Sequence, residues 1–349
     1  MRSKLRAIVV SAAVVMLGVI GCSSEPPEPT EAGFIYTFAG ADEGFAPDAE
    51  DRHEARFGAV SDLVAAGGWL YVADGAIVSR INLADGAFEV VAGNGSIGPM
   101  PESGPDIRQT ALPSVRSLDV DAENNRLYAL LFDNPDAGVV QVDLGTGEYE
   151  LLFREEHLTK IRLRDDNNLL FMERASDNLV NFELATRERR DVLPGVHAFN
   201  FAVADGQVVY ILTSHEERAI LRADFRDSSV TVVVDSMEVS PLLRQVREDA
   251  EALQNPYPMF SYMAVAPTGD IAFVDSSRYG HTVGTLDPGE GNWTLVAGTG
   301  PIGDAGDGGP ATDANVRSGP IAFDDEGNLY MGHKRGDLRV IRRINSVAE

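Results

Sequence analysis

The sequence predicts an all-β fold, a six-bladed β-propeller in which an N-terminal strand closes the last blade and one helix is inserted. Three observations carry this. A hairpin unit of apolar strand, Gly or Asn turn and second apolar strand recurs six times across residues 61–332, and repeats of this size mark solenoids, propellers or arrays. A strand ending in Ala-Gly recurs three times, as FIYTFAG at 34–40, FEVVAGNG at 88–95 and WTLVAGTG at 293–300. The composition is globular and rich in turn formers, with 34 Gly, 18 Pro and 44% hydrophobic side chains in 349 residues.

The hairpins fall at 61–75, 116–130, 160–172, 200–212, 263–275 and 320–332. A third β-rich run follows each, at 78–83, 138–144, 178–184, 219–225, 282–288 and 339–344, and a fourth follows the first five. Aligning the second strands on Tyr71, Tyr128, Phe171, Tyr210, Phe273 and Tyr330 gives gaps of 57, 43, 39, 63 and 57 residues. A four-stranded blade takes about 40 residues, so the excess belongs to connectors. Those near 41–60, 94–114, 235–260 and 299–318 are long, and those near 154–159 and 195–199 are short. In an up-and-down order all of them leave by one face, which is where a ligand or partner is expected.

The sixth unit ends at Ile344 with no fourth strand after it. Residues 34–40 are expected to complete it, which joins the chain ends and removes exposed strand edges. The 235–260 connector carries the inserted helix, at about 240–255. Ser240 serves as N-cap and Pro241 as the first helical residue. Leu242, Leu243, Val246, Ala250 and Leu253 form one apolar stripe, and Asn255-Pro256 stops the helix. The expectation is a lid on the connector face, with a docking helix for a partner as the alternative.

Residues 1–21 read as a targeting segment. Arg2, Lys4 and Arg6 precede a charge-free run of 15 residues, Ala7–Gly21. That is short for a spanning helix but right for a signal-peptide core. The run ends in Val19-Ile20-Gly21-Cys22, which resembles the lipobox of bacterial lipoproteins. The resemblance implies cleavage before Cys22, lipidation of its thiol, and a mature protein anchored to a membrane on the extracytoplasmic side. Ser23 after the cysteine implies the outer membrane of a two-membrane cell. Residues 22–33 are a Pro- and Glu-rich tether that cannot pack. Removing residues 1–21 leaves 26 basic against 54 acidic side chains, a net charge of −28, with Lys160 and Lys334 as the remaining lysines.

Residues 34–345 resemble an NHL-type six-bladed propeller. The residues that carry this are VAGTGPIGDAGDGGPATDA at 296–314, DDEGNLYMG at 324–332 and YVADG at 71–75. The match is sharp in the first and sixth blades, partial in the fifth, and by pattern alone in the second to fourth. Propellers of this kind serve as binding scaffolds. Propeller lyases and lactonases instead assemble a metal site from separate blades around the channel.

Charge and residue inventory restrict the chemistry. A net charge of −25 leaves no basic footprint for nucleic acid. A single cysteine allows neither an intrachain disulfide nor a Cys-based zinc site. No G-x-S-x-G elbow or HExxH pair occurs. Asp304, Asp307 and Asp313 cluster in one connector, but their spacing is not that of an EF-hand loop; Asp304 and Asp307 stand as connector-face binding candidates. His157 and His197 fall just before inner strands of adjacent blades, and they keep a divalent metal, calcium or zinc, open at the channel mouth. Asp119 and Arg162 fall at equivalent inner-strand positions, where either a polar channel lining or buried compensation between charges would account for them. The expected function is a non-catalytic binding or scaffold module whose partner is an envelope protein or a small extracellular ligand. The alternative is a metal-dependent lyase or lactonase-like hydrolase.

Overall fold

Each repeat supplies strands that are apolar on both faces, and such a sheet must be covered on both sides. A ring of sheets, each packed on two neighbours, meets that demand. The structure, a computed structural model, describes residues 28–347 apart from 41, 45, 47, 134–135, 174–177, 193–195, 197, 214–218, 235–259, 277–280 and 333–338. It is an all-β six-bladed propeller. The proposed leader, Cys22, His197 and the 240–255 helix lie outside the described residues. Among the described residues no helix is long and apolar enough to cross a membrane.

Blade 1 comprises Val60–Ala66, Trp69–Asp74, Ile77–Asn82 and Phe88–Ala92. Blade 2 comprises Ser114–Asp121, Arg126–Asp133, Asp136–Asp143 and Tyr149–Glu156, and blade 3 Leu158–Asp165, Asn168–Glu173, Asn178–Glu183 and Arg189–Asp191. Blade 4 runs through Ala198–Val203, Val208–Thr213, Ile220–Asp224 and Ser229–Val234, and blade 5 through Phe260–Val265, Ile271–Asp275, His281–Leu286 and Trp293–Gly300. Blade 6 takes Ile321–Phe323, Leu329–Gly332 and Ile341–Ile344 from the C-terminus and Phe34–Ala39 from the N-terminus. Ile35 pairs with Ile344, and Tyr36 with Arg343, as the missing fourth strand predicted. The inner strands touch in sequence around the ring, and Ile321–Phe323 meets Val60–Ala66 to close it.

The core is divided into six clusters, one between each pair of neighbouring blades. The six aligned aromatic residues are all buried, but they do not all face the same way. Tyr71, Tyr128, Tyr210 and Tyr330 point at the following blade. Phe171 and Phe273 point back, so that Tyr128 and Phe171 share one interface and Tyr210 and Phe273 another. Strand side chains alternate faces, and the position equivalent to Tyr71 is Leu170 in blade 3 and Ala272 in blade 5. The sequence alignment is therefore corrected by one residue in those two blades.

The recurring motifs have local causes. Gly93 follows the outer strand of blade 1 and Gly298 lies near the end of that of blade 5, with φ of 83° and 99°. A Cβ there would stand 2.2 Å from the carbonyl oxygen of Ala76 or 2.6 Å from that of His281, so only glycine fits. Gly40, the third member of the Ala-Gly set, meets the carbonyl of Arg339 in the same way. In the DDEGNLY hairpin, Asp324 accepts from the Asn328 backbone N–H at 2.8 Å, the Asn328 side-chain amide at 2.8 Å and the Tyr330 hydroxyl at 2.9 Å. Burial and the Asp324 carboxylate together raise the Tyr330 hydroxyl above its ordinary value. In YVADG, Asp74 accepts the backbone N–H groups of Gly58 and Ala59 and fastens the incoming connector. These motifs build blades and joints.

Candidate functional site

Inner strands line the channel, and their connector ends are irregular. Each of the first five inner strands carries a β-bulge, which leaves Ser61, Arg116, Thr159, Phe199 and Ser261 without a ladder partner. Bulges re-aim side chains and recur beside functional sites. All five residues line a cavity of about 720 Å³ at the connector end of the channel. Arg317 and Ser318, just before the blade 6 inner strand, complete the wall.

The residue after each bulge forms a belt around the cavity: Asp62, Ser117, Lys160, Asn200 and Tyr262 in blades 1 to 5. Asp62 and Arg162 form a two-pronged ion pair, with 2.7 Å between each carboxylate oxygen and its guanidinium nitrogen. Ser117 donates to Asp62 at 2.6 Å, and the Leu118 N–H does so at 3.1 Å. Lys160 donates to Asn200 Oδ1 at 2.6 Å, and Asn200 donates to the Ser261 carbonyl at 2.9 Å. The Ser261 and Ser318 hydroxyls lie 2.8 Å apart, and the Ser318 N–H donates to His281 Nδ1 at 2.7 Å. A polar wall thus runs from blade 1 to the start of blade 6.

The electrostatics of the wall follow from burial. Burial alone would raise the Asp62 carboxyl, but the Arg162 guanidinium and the Ser117 hydroxyl hold it below its ordinary range. The Lys160 ammonium is pushed down to about 7 by burial and by Arg162, with Asp62 and Asp119 opposing. Asp119 is raised by burial, although it accepts the Leu163 and Val120 N–H groups. Asp119 and Arg162 occupy equivalent positions, opposite Tyr128 and Leu170, yet the charge partner of Arg162 is Asp62. Burial also pushes the Tyr262 hydroxyl up to about 12. The rim is aromatic, with Phe132 and Phe199 lining it and Phe199 52% exposed.

Two long connectors frame this face and share one plan. In each, the first Gly is followed by a parallel bridge, Ile97 to Leu112 or Ile302 to Val316. A short 3-10 turn follows the crest, Ile107–Gln109 or Ala311–Asp313. Each also adds a two-residue edge strand to the next blade, Ser103–Gly104 on Tyr149 and Glu150 or Gly309–Pro310 on Phe34 and Ile35. Asp307 lies against Arg342 at 2.8 Å and accepts from Thr37 at 2.5 Å. Asp304 holds Arg317 at the cavity wall through contacts of 2.8 and 3.1 Å. His157 is exposed at a turn with φ of 61° and does not line the cavity. Among the described residues no three His, Cys, Asp or Glu come together to hold a metal.

The belt was missed in the sequence because its residues share a position but not a type. The signal available was a break in alternation at the start of each inner strand, with a polar residue where an apolar one was due.

No family model and no curated protein matches the chain. Solved structures do. A protein of unknown function from Bacteroides thetaiotaomicron superposes with a TM-score of 0.61 at 15% identity, over 88% of this chain and 74% of its own. An auxiliary nutrient-binding protein from the same organism gives 0.61 at 17% identity, over 89% and 76%. A chain of a nidogen–laminin complex gives 0.52 at 11% identity, over 76% and 85%. At such identities the likeness is one of fold, and the chain is similar to these proteins as a propeller.

Proposed function

We propose that this chain is a lipid-anchored extracytoplasmic module of NHL type that binds a small ligand in the connector-face cavity without transforming it. One observation carries the reading. The blade frame repeats, while the belt position changes residue type from blade to blade around a cavity of about 720 Å³, a size typical of small-molecule sites. The fold shared with an auxiliary nutrient-binding protein supports capture of a ligand. The metal-dependent lyase or lactonase would need three or more converging donors, and among the described residues no three His, Cys, Asp or Glu come together.

The anchoring half of the proposal rests on Cys22, with residues 22–33 as tether. Palmitate labelling in a bacterial host is expected to mark the full chain, and Cys22→Ser is expected to abolish the label and release the protein from the membrane fraction. The binding half is tested by melting the detergent-purified full chain against a metabolite library, with and without EDTA. Hits that raise the melting temperature and vanish in Ser318→Trp, which fills the cavity, support the module. A tightly held metal whose removal sharply lowers the melting temperature would overturn it in favour of the enzyme.

A further inference from the structure

The chain carries 54 acidic against 29 basic side chains, yet the cavity wall is cationic. Lys160, Arg116 and Arg317 line it, and Asp62 is the one carboxylate among the described lining residues. Asp62 is committed through both oxygens to Arg162, and Arg317 is held by Asp304. Lys160 differs. Its ammonium meets the neutral Asn200 amide oxygen at 2.6 Å and lies 5.5 Å from the centre of the Phe201 ring. Among the described residues no carboxylate forms an ion pair with it; Asp62 and Asp119 act on it from farther off. A cation in a part-buried wall without a counter-ion is a place for an anion that arrives from solution.

The remaining wall narrows the class of anion. The polar residues Thr159, Asn200, Ser261 and Ser318 line the same cavity as Phe199 and Tyr262. Hydroxyls and amides pair with hydroxyls, and flat rings cover apolar faces. Building on the binding role proposed above, we infer that the cavity selects a hydroxylated carboxylate of the sugar-acid class, with Lys160 taking the carboxylate and the aromatic rim taking the apolar face.

The charge state of the wall adds a signature. The free Lys160 amine titrates at about 7, among Arg162 on its own strand, Asp62 on blade 1, Asp119 on blade 2, and Arg116, Arg317 and His281 around the cavity. A bound carboxylate favours the ammonium. Binding therefore takes up a proton above pH 7, and none well below it, and affinity falls as pH rises.

The test is titration calorimetry on the full chain in detergent, with galacturonate against galactose and gluconate against sorbitol as pairs alike in shape but not in charge. The acids are expected to bind at least tenfold more tightly than their neutral twins. At pH 8.5, comparison of buffers should show uptake of close to one proton. Lys160→Met should erase the preference for acids, and Lys160→Arg should keep it while losing the proton uptake. Equal binding of acids and twins would overturn the charge selection and leave the binding module standing. Binding of neither class, or unchanged acid affinity in Lys160→Met, would overturn the sugar-acid assignment, while the library screen still decides the module.

Discussion

The connectors at 93–114 and 298–318 share a bridge, a 3-10 turn and an added edge strand, but they are fastened by different physics. In the second, Arg342 is fully buried and reaches Asp307, the Asn315 carbonyl at 2.7 Å and the Ala305 carbonyl. The equivalent residue of blade 2 is Val140, since Ala129 opposite it matches Met331 opposite Arg342. Val140 joins Met100, Ile107 and Leu112 in an apolar cluster. The acid equivalent to Asp307 is Glu102, which meets Arg154 in an exposed pair. One backbone plan thus accepts either a buried ion pair or apolar packing. The acidic, glycine-rich signature of the second connector reports how it is tied down.

Breaking the ionic fastening should cost most. Asp307→Ala leaves the buried Arg342 without a counter-ion, and the expected loss is about 3–5 kcal/mol, read as a lower urea midpoint at unchanged slope. Met100→Ala tests the apolar fastening, with an expected loss of about 2–3 kcal/mol. Arg342→Met sharpens the contrast. It removes the buried charge and leaves Asp307, 36% exposed, for water to solvate, so its cost should stay near 1–2 kcal/mol and below that of Asp307→Ala. A larger cost for Arg342→Met than for Asp307→Ala would break the comparison.

The channel belt supplies a third kind of fastening, sensitive to pH. Lys160 has a folded value of about 7, below its unfolded one. Between these values the unfolded chain binds the extra proton, so stability contributed at this site rises as pH climbs above 7. The slope should be at most about 1.4 kcal/mol per pH unit, and Lys160→Met should flatten it in urea titrations at pH 6, 7, 8 and 9. Smallest of all is Glu102→Ala, whose exposed pair with Arg154 should change stability by no more than about 0.5 kcal/mol.

Much of the frame was legible because it repeats. The six tyrosine and phenylalanine positions, the Ala-Gly strand ends and the missing fourth strand of the last unit all have counterparts in the structure. The misplacement of Phe171 and Phe273 shows the limit. NNLLF and DIAF place the aromatic one residue late, and a period of two turns one residue into the opposite face. The cavity was harder to read. A bulge adds a single residue to a strand and leaves no mark in composition, so Ser61, Thr159 and Ser261 read as ordinary strand positions. Arg162 stood out as a charge in an inner strand, but its pairing with Asp62, 100 residues away, depends on ring closure that no local pattern encodes. His197 and the 240–255 helix lie outside the described residues, so their share of the connector face rests on the sequence.

The shared sixth blade also has a consequence for how the protein is made. A ribosome makes Phe34–Ala39 long before Ile341–Ile344, yet these two strands are hydrogen-bonded partners. Every incomplete chain is therefore an open arc with an unpaired strand at its leading end, exposed to mispairing with other chains. The longest-range pairing is also the one that loop-closure entropy makes slowest to form. Truncation after blade 5 should yield a sticky fragment, because the pairing of Ile341–Ile344 with Phe34–Ala39 is what turns an open arc into a closed ring.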